Sequence, residues 1–288
     1  MIIQFFIIVA SNLYTNLNEI KAKSQILNAY ANDQSPLSIL TSYNLTLSEL
    51  LAILHFYKVP INQLLSLPSL YSVSSSAIII IGDTHLGSQR ENFNYLKYVY
   101  QLAAAKHITT ILHVGDIVQS TLGYPKKAYL NPLNQLNHLA QDFPSASSIT
   151  TYFLLGNHDF HFLRKNACYL EFLKERSDFR LLGTAKSYLT WQNNLVSLTH
   201  QVSKNHLVIP NLPNLITFIG HRHSLKKYNN SAVAVPTLSD DLKYYEDDEI
   251  NNPGFLLATL NNGLLNITLY SFQQEKVSQR VLFQKTTL

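Results

Sequence analysis

Five short polar stretches, each directly behind a run of apolar residues, constrain this chain more than any other feature. They are Gly82-Asp83-Thr84-His85, Gly115-Asp116, Gly156-Asn157-His158-Asp159, Thr199-His200 and Gly220-His221-Arg222-His223. Short apolar runs that alternate with helically spaced segments signal an α/β architecture. The runs predict strands at Ala77–Ile81, Thr109–Val114, Thr150–Leu155, Leu195–Thr199 and Leu215–Ile219. Helices are expected around Asn92–Ala105, Leu133–Gln141 and Ala167–Glu175. Polar side chains just past the carboxyl ends of such strands converge in one crevice. Of only nine glycines, four immediately precede one of these side chains, where the lack of Cβ lets the backbone turn sharply and approach an ion.

The residue types narrow the chemistry. Carboxylate, imidazole and amide oxygen together suit manganese, iron or zinc, whereas all-oxygen sites suit magnesium or calcium. The single cysteine, Cys168, excludes an internal disulfide and a zinc–thiolate cluster, and fits a reducing, cytoplasmic setting. The five stretches therefore hold the candidate metal ligands. Each stretch taken singly also has a structural reading: Asp83-Thr84-His85 as a turn, Gly156-Asn157 as a turn dipeptide, and the paired histidines as flanks of a strand end. Their joint occurrence, each behind its own strand, favours the metal reading. His206 is the reserve for His200. Arg222, between His221 and His223, is placed to pair with an anionic substrate, although such an arginine is more often solvated. His55, His107, His113, His138 and His161 read as structural or exposed, with His161 the best placed of them to touch substrate.

The rest of the chain frames this centre. At 288 residues it exceeds the usual single-domain size, which points to one large domain, 77–288, with an N-terminal helical region and linker at 1–76. Apolar spacing between Leu17 and Pro60 predicts three short helices. Ser35-Pro36 and the capping box from Thr46 to Glu49 mark two of their starts. The polar run Ser72 to Ser76 reads as linker. Met1 to Ala10 is apolar but lacks a basic leader, and is well short of the roughly 20 residues that span a bilayer, so a buried strand or packed arm is expected and no membrane association. Ser231–Val235, Gly254–Leu260 and Leu264–Phe272 read as strands that complete a second sheet, with a tight hairpin at Asn261-Asn262-Gly263. A formal charge of +4 tolerates an anionic substrate without demanding one.

In order and type, the five stretches resemble the signature of the calcineurin-like metallophosphoesterases over about residues 77 to 272. The resemblance implies a four-layer αββα sandwich and two divalent metal ions, with manganese favoured and iron or zinc as alternatives. The first ion would be held by Asp83, His85, Asp116 and His223, and the second by Asp116, Asn157, His200 and His221, so that Asp116 bridges. A two-metal-activated hydroxide would then attack phosphorus while His158 protonates the leaving group. Two departures from the family pattern stand out. Gln119 occupies the place where Asp or Asn usually orients the general-acid histidine, which leaves Asp159 as a substitute. Gln201, in place of the usual glycine, follows His200.

Asp83-Thr84-His85-Leu86-Gly87-Ser88 is similar to the first motif of DNA-repair nucleases and of phage and bacterial proteins that join a helix-turn-helix to a phosphoesterase. In that likeness Lys21 to Val59 corresponds to the helix-turn-helix, and DNA is the implied substrate. The charges of 1–76 argue less for DNA, since Lys21, Lys23 and Lys58 are balanced by Glu19, Asp33 and Glu49, and phosphate contacts normally need a basic face. A packing or oligomerisation module fits those helices equally well. A phosphomonoesterase, or a DNA-binding scaffold with an inactive phosphoesterase domain, is the alternative function.

Overall fold

Four consecutive isoleucines, Ile78 to Ile81, are fully buried, so the strand that carries them is covered on both faces. The computed structural model describes residues 24–29, 42–43, 53, 71–120, 130–165, 169, 173, 175–184, 186–192, 194–200, 215–242, 252–273 and 276–286. The chain divides into two compact units, 1–67 and 68–288. In the first, residues 24–29 are helical and Ile26 is buried. Most of the three helices expected there, including the helix-turn-helix, lies outside the described residues, as does the stretch from Met1 to Ala10.

The second unit runs β1 (Tyr71–Val73), β2 (Ala77–Ile81), α1 (Phe93–Ala105), β3 (Thr110–His113), α2 (Pro132–Asp142), β4 (Thr150–Leu155), α3 (Asn157–Lys165), β5 (Phe179–Thr184), β6 (Lys186–Trp191), β7 (Asn194–His200), β8 (Leu215–Gly220), β9 (Lys226–Asn229), β10 (Ala232–Ala234), β11 (Gly254–Asn261), β12 (Leu264–Gln273) and β13 (Lys276–Thr286). These form a six-stranded sheet, β1-β6-β7-β8-β10-β9, and a seven-stranded sheet, β13-β12-β11-β2-β3-β4-β5. Strands β2 to β5 are parallel neighbours, as are β7, β8 and β10.

Alternation along the strands builds the layers. Ile78, Ile80, Leu112, Val114 and Leu154 of the seven-stranded sheet share one core with Trp191, Val196, Leu198, Ile216 and Phe218 of the six-stranded sheet. The two sheets therefore pack face to face, as the sandwich expectation requires. The intervening residues, such as Ile79, Ile81 and Ile111, point to the other face. Because β2, β3, β4 and β5 step across the sheet in one direction, right-handed crossovers place α1, α2 and α3 on that same outer face. Helix α1 buries Leu96, Val99, Tyr100 and Ala103, one stripe at helical spacing, and Tyr100 Oη lies 2.5 Å from Thr151 Oγ1 on β4. No helix among the described residues is long and apolar enough to cross a membrane.

Two sequence expectations change. The run Ser72 to Ser76, expected as linker, begins inside β1, which pairs in parallel with β6 and gives the six-stranded sheet its edge. The C-terminal strands do not complete a second sheet: β11 pairs antiparallel with β2, so β11, β12 and β13 extend the sheet begun by β2–β5. Without β11, the buried isoleucine strand would stand at an unpaired edge. Only β10 of that region joins the other sheet. In addition to the helices expected, Asn157 to Lys165 is a helix. The hairpin turn is as expected: Asn261 pairs with Leu264, and Asn262 and Gly263 both have positive φ (50° and 74°).

Because Phe218 is fully buried between the two sheets, Phe218→Ala should cost about 3–5 kcal/mol in urea unfolding. A loss below about 1 kcal/mol would contradict a shared core.

Candidate metal centre

Five of the seven candidate ligands carry their side chains from left-handed backbone: Asp83 (φ 51°), His85 (46°), Asp116 (56°), His221 (72°) and His223 (64°). Non-glycine residues seldom adopt this region, so its concentration at the ends of β2, β3 and β8 marks a place where geometry outweighs local preference. The glycines before them act differently from the sequence expectation. Of those four, only Gly115 has a positive φ, and the shared requirement is close approach. A Cβ on Gly156 would lie 2.2 Å from Asp116 Oδ1, and one on Gly115 would lie 2.6 Å from His200 Nδ1 and 2.8 Å from the Gly156 amide nitrogen. Neighbouring strand ends thus touch backbone to backbone, and the side chains that follow are pressed into one volume.

Asp83, His85 and His223 form one group, all buried, whose ligand atoms lie within 4.8 Å of one another. The Asp83 carboxylate accepts the His221 amide at 3.1 and 3.2 Å and stands 3.3 Å from His223 Nε2. Burial works against its ionisation, but the adjacent His223 prevails and holds the carboxyl below the usual carboxylate range. His223 donates Nδ1–H to the Asp241 carbonyl, which turns Nε2 toward Asp83 and His85. That atom is 3.1 Å from His85 Nε2. Two lone pairs at such a distance repel, so a proton or a cation has to stand between them. Burial and His223 hold the His85 imidazolium pKa well below its ordinary value, which favours the neutral, ligating ring.

Asp116, His200 and His221 form a second group, and Asp116 with His85 and His158 a third, so Asp116 lies between the two sides. Asp116 Oδ1 accepts the His158 amide at 2.8 Å, while Oδ2 is 3.1 Å from His200 Nε2 and 3.8 Å from His85 Nε2. His200 donates Nδ1–H to the Val114 carbonyl at 2.7 Å, and its Nε2 faces both Asp116 and Asn157 Oδ1, the latter at 3.2 Å. Burial lowers the His200 pKa, yet the Asp116 charge outweighs it and pushes the ring up to about 9. A metal ion at this place would displace that proton.

His158 is half-buried at the start of α3. Its Nδ1–H is donated to the main-chain carbonyl of Gln119 at 2.5 Å. The Gln119 amide, expected to orient this ring through its oxygen, is buried with Oε1 lacking a hydrogen-bond partner among the described residues. Asp159, the suggested substitute, is also elsewhere: its carboxylate accepts the amides of Ile117, Val118 and Gly156 and the Tyr169 hydroxyl. Burial and the Asp116 charge push its carboxyl up to about 7 against those bonds.

Arg222 is buried rather than solvated, and His161 is partly buried one turn along α3 from Asn157 and His158. His206 lies outside the described residues. Sequence reading missed the groups that brace the centre. Thr237 Oγ1 donates to the Asp83 carbonyl at 2.7 Å. Behind the site, His113 Nδ1 accepts the Gly115 amide and its Nε2 meets Thr84 Oγ1 at 3.1 Å, while Thr84 donates to the Ile117 carbonyl. Burial drives the His113 pKa down to about 3, so it acts as a neutral strut. Only the position of His113 at the end of a strand hinted at this, and nothing in the sequence pointed to Thr237 or Asp241.

A family model described as calcineurin-like phosphoesterase matches residues 76–262. Among solved structures, the chain is similar to vacuolar protein sorting 29 from Cryptosporidium parvum (13% identity, 75% of this chain and 100% of that one, TM-score 0.45). It is also similar to zinc-complexed Vps29 from Entamoeba histolytica (14%, 72% and 98%, 0.40) and to nuclease MPE from Pseudomonas putida (13%, 70% and 87%, 0.41). No curated protein gives a significant match.

Two outcomes follow from the geometry. Since the His200 proton is lost only as pH rises through about 9, manganese uptake at lower pH should release a proton and tighten with pH, by up to about tenfold per unit below that value. Calorimetric titration in buffers of different ionisation enthalpy measures the release, and a buffer-independent heat would contradict it. Gly156→Ala should destabilise the fold by about 1–3 kcal/mol. It should also reduce the manganese retained after gel filtration, because the new methyl group displaces the Asp116 carboxylate.

Proposed function

Because the chain belongs to the calcineurin-like phosphoesterase family, whose model covers residues 76–262, we propose that it is a hydrolase of phosphodiesters with DNA as its substrate class. In this reading Asp83, His85, Asp116 and His223 hold one divalent cation and Asp116, Asn157, His200 and His221 hold a second. Manganese is the favoured ion and a reducing cytoplasm the setting. The observation that carries the reading is the meeting of three carboxylate–imidazole groups, two of which share Asp116.

The residues present fit such cations. Carboxylate oxygens and imidazole nitrogens match manganese, iron or zinc. The rings of His200 and His223 each donate Nδ1–H to a backbone carbonyl, which turns Nε2 inward as a ligand atom. The opposed nitrogens of His85 and His223, 3.1 Å apart, have room for a proton or a cation between them. When bound, divalent cations supply Lewis acidity, acidifying a water and taking up charge that develops on phosphate oxygens.

The chain's own residues do the remainder. Asp116 supplies the negative charge that lets two dications stand close together. His158, with Nδ1–H fixed on the Gln119 carbonyl, keeps Nε2 to carry a proton to the leaving oxygen. A carbonyl partner orients the ring without adding charge. Arg222 and His161 line the substrate side, Arg222 as a guanidinium for a non-bridging phosphate oxygen. The DNA reading is supported by the likeness of Asp83 to Ser88 to the first motif of helix-turn-helix-linked phosphoesterases and DNA-repair nucleases.

A manganese-supplemented panel of single-stranded DNA, duplex DNA, RNA, mononucleotides, a phosphopeptide and a bis-aryl phosphodiester tests this function. DNA and the aryl diester should be cleaved, with Asp116→Asn slower by about a hundredfold or more. Activity on monoesters alone would replace the diester reading with a phosphomonoesterase. An Asp116→Asn variant equal to the parent on every substrate would falsify the mechanism. His158→Ala should lower kcat on DNA by about 10²–10⁴, and by less on the aryl diester, whose leaving group needs little protonation.

A further inference from the structure

Asp159 is fully buried, contributes to none of the three carboxylate–imidazole groups, and accepts five hydrogen bonds. Its Oδ1 accepts the Ile117 amide at 2.9 Å, the Val118 amide at 3.1 Å and the Tyr169 hydroxyl at 3.0 Å. Its Oδ2 accepts the Gly156 amide at 2.9 Å and the Ile117 amide at 3.1 Å. Two of these amides directly follow Asp116, and the third directly precedes Asn157. One carboxylate therefore grips both of the loops that carry the middle of the centre.

The grip is reciprocal. The Asp116 carboxylate, on the loop after β3, accepts the His158 amide from the loop after β4 at 2.8 Å, while Asp159, on the β4 side, accepts amides from the β3 side. The two loops are thus cross-tied through their own backbones by exchanged carboxylates. The bond from the Gly156 amide is also the N-terminal half of a capping box, the third helical residue reaching back to the residue before the helix, with Phe160 bonding to the Gly156 carbonyl at 3.0 Å. The same atom that starts α3 therefore fixes where Asn157 and His158 begin relative to Asp116. Because Asp116 sits at φ 56° and Gly156 has no room for a Cβ, neither loop would hold this spacing by local preference.

We propose that Asp159 is a positioning residue that sets the distance of Asn157 and His158 from Asp116, and through it the separation of the two cations and the reach of the general acid. The inference rests on the two-metal reading above. Asp159→Asn keeps the shape but turns an NH2 group toward donors that need an acceptor, so the cross-tie is lost on one oxygen.

The test compares manganese-loaded parent, Asp159→Asn and Tyr169→Phe by electron paramagnetic resonance of the coupled ions and by kinetics on the bis-aryl phosphodiester. Asp159→Asn should stay folded and alter the coupling spectrum. It should also lower kcat by about 10–100-fold, leaving KM within about twofold. Where Asp159→Asn does not fold, Tyr169→Phe removes a single bond at nearly constant volume and should lower kcat by roughly threefold with unchanged KM. A folded Asp159→Asn with the parent's spectrum and kcat overturns the inference, as does a Tyr169→Phe equal to the parent in the case where it alone folds. The spectrum is read without substrate. A parent that binds manganese pairs yet cleaves nothing therefore sinks the proposed function and leaves the inference to be decided by the coupling. A parent that takes up no manganese overturns both.

Discussion

Burying two carboxylates side by side is the constraint on which the rest of the structure depends. Asp83 and Asp116 are both shut off from solvent, and charge removed from water is costly unless opposite charge and hydrogen-bond donors replace the lost hydration. Here the replacement comes from imidazoles at 3.1 and 3.3 Å and from the amides of His158 and His221. Such donors are available together only where several strand ends meet. The two-sheet sandwich, with β2, β3 and β4 ending beside β7 and β8, is the arrangement that gathers them.

Gathering them has a conformational cost. Five left-handed backbone positions and tightly abutting glycines are local conflicts that a chain tolerates only when its surroundings over-determine them. The surroundings here are the apolar core between the sheets, which fixes the strand ends, and a ring of buried hydrogen bonds through Thr84, His113, Thr237 and Asp159. The division of labour is physical. Non-directional apolar packing sets the frame to within a few ångströms, and directional bonds trim it to the tolerance that ligation needs.

Much of the frame was legible in the sequence. Ala77–Ile81 and Thr150–Leu155 were bounded as observed, since a fully buried parallel strand reads as an unbroken apolar run. The five polar stretches could be placed at strand ends for the same reason. What escaped were elements whose sequence carries no such signal. β13, KVSQRVLFQKT, is a mostly exposed edge strand, and β1 is three residues long in a serine-rich run. The assignment of β11–β13 to a sheet depends on which neighbour β2 needs, a non-local fact. In the centre, residue types could be read but partners could not. The family resemblance implied a side-chain contact of Gln119 or Asp159 with His158, whereas the bonds run through a main-chain carbonyl in one case and to main-chain amides in the other.

The use of main-chain carbonyls has an evolutionary consequence. His158, His200 and His223 are each aimed by the backbone oxygen of another residue, Gln119, Val114 and Asp241. Every amino acid brings that oxygen, so the aim of the three rings is insensitive to which side chain stands at those positions, provided the backbone path is kept. Drift at 119 can then proceed without loss of ring orientation. The constellation of side chains is encoded partly in the trace of the chain, a layer of inheritance that substitution matrices do not see.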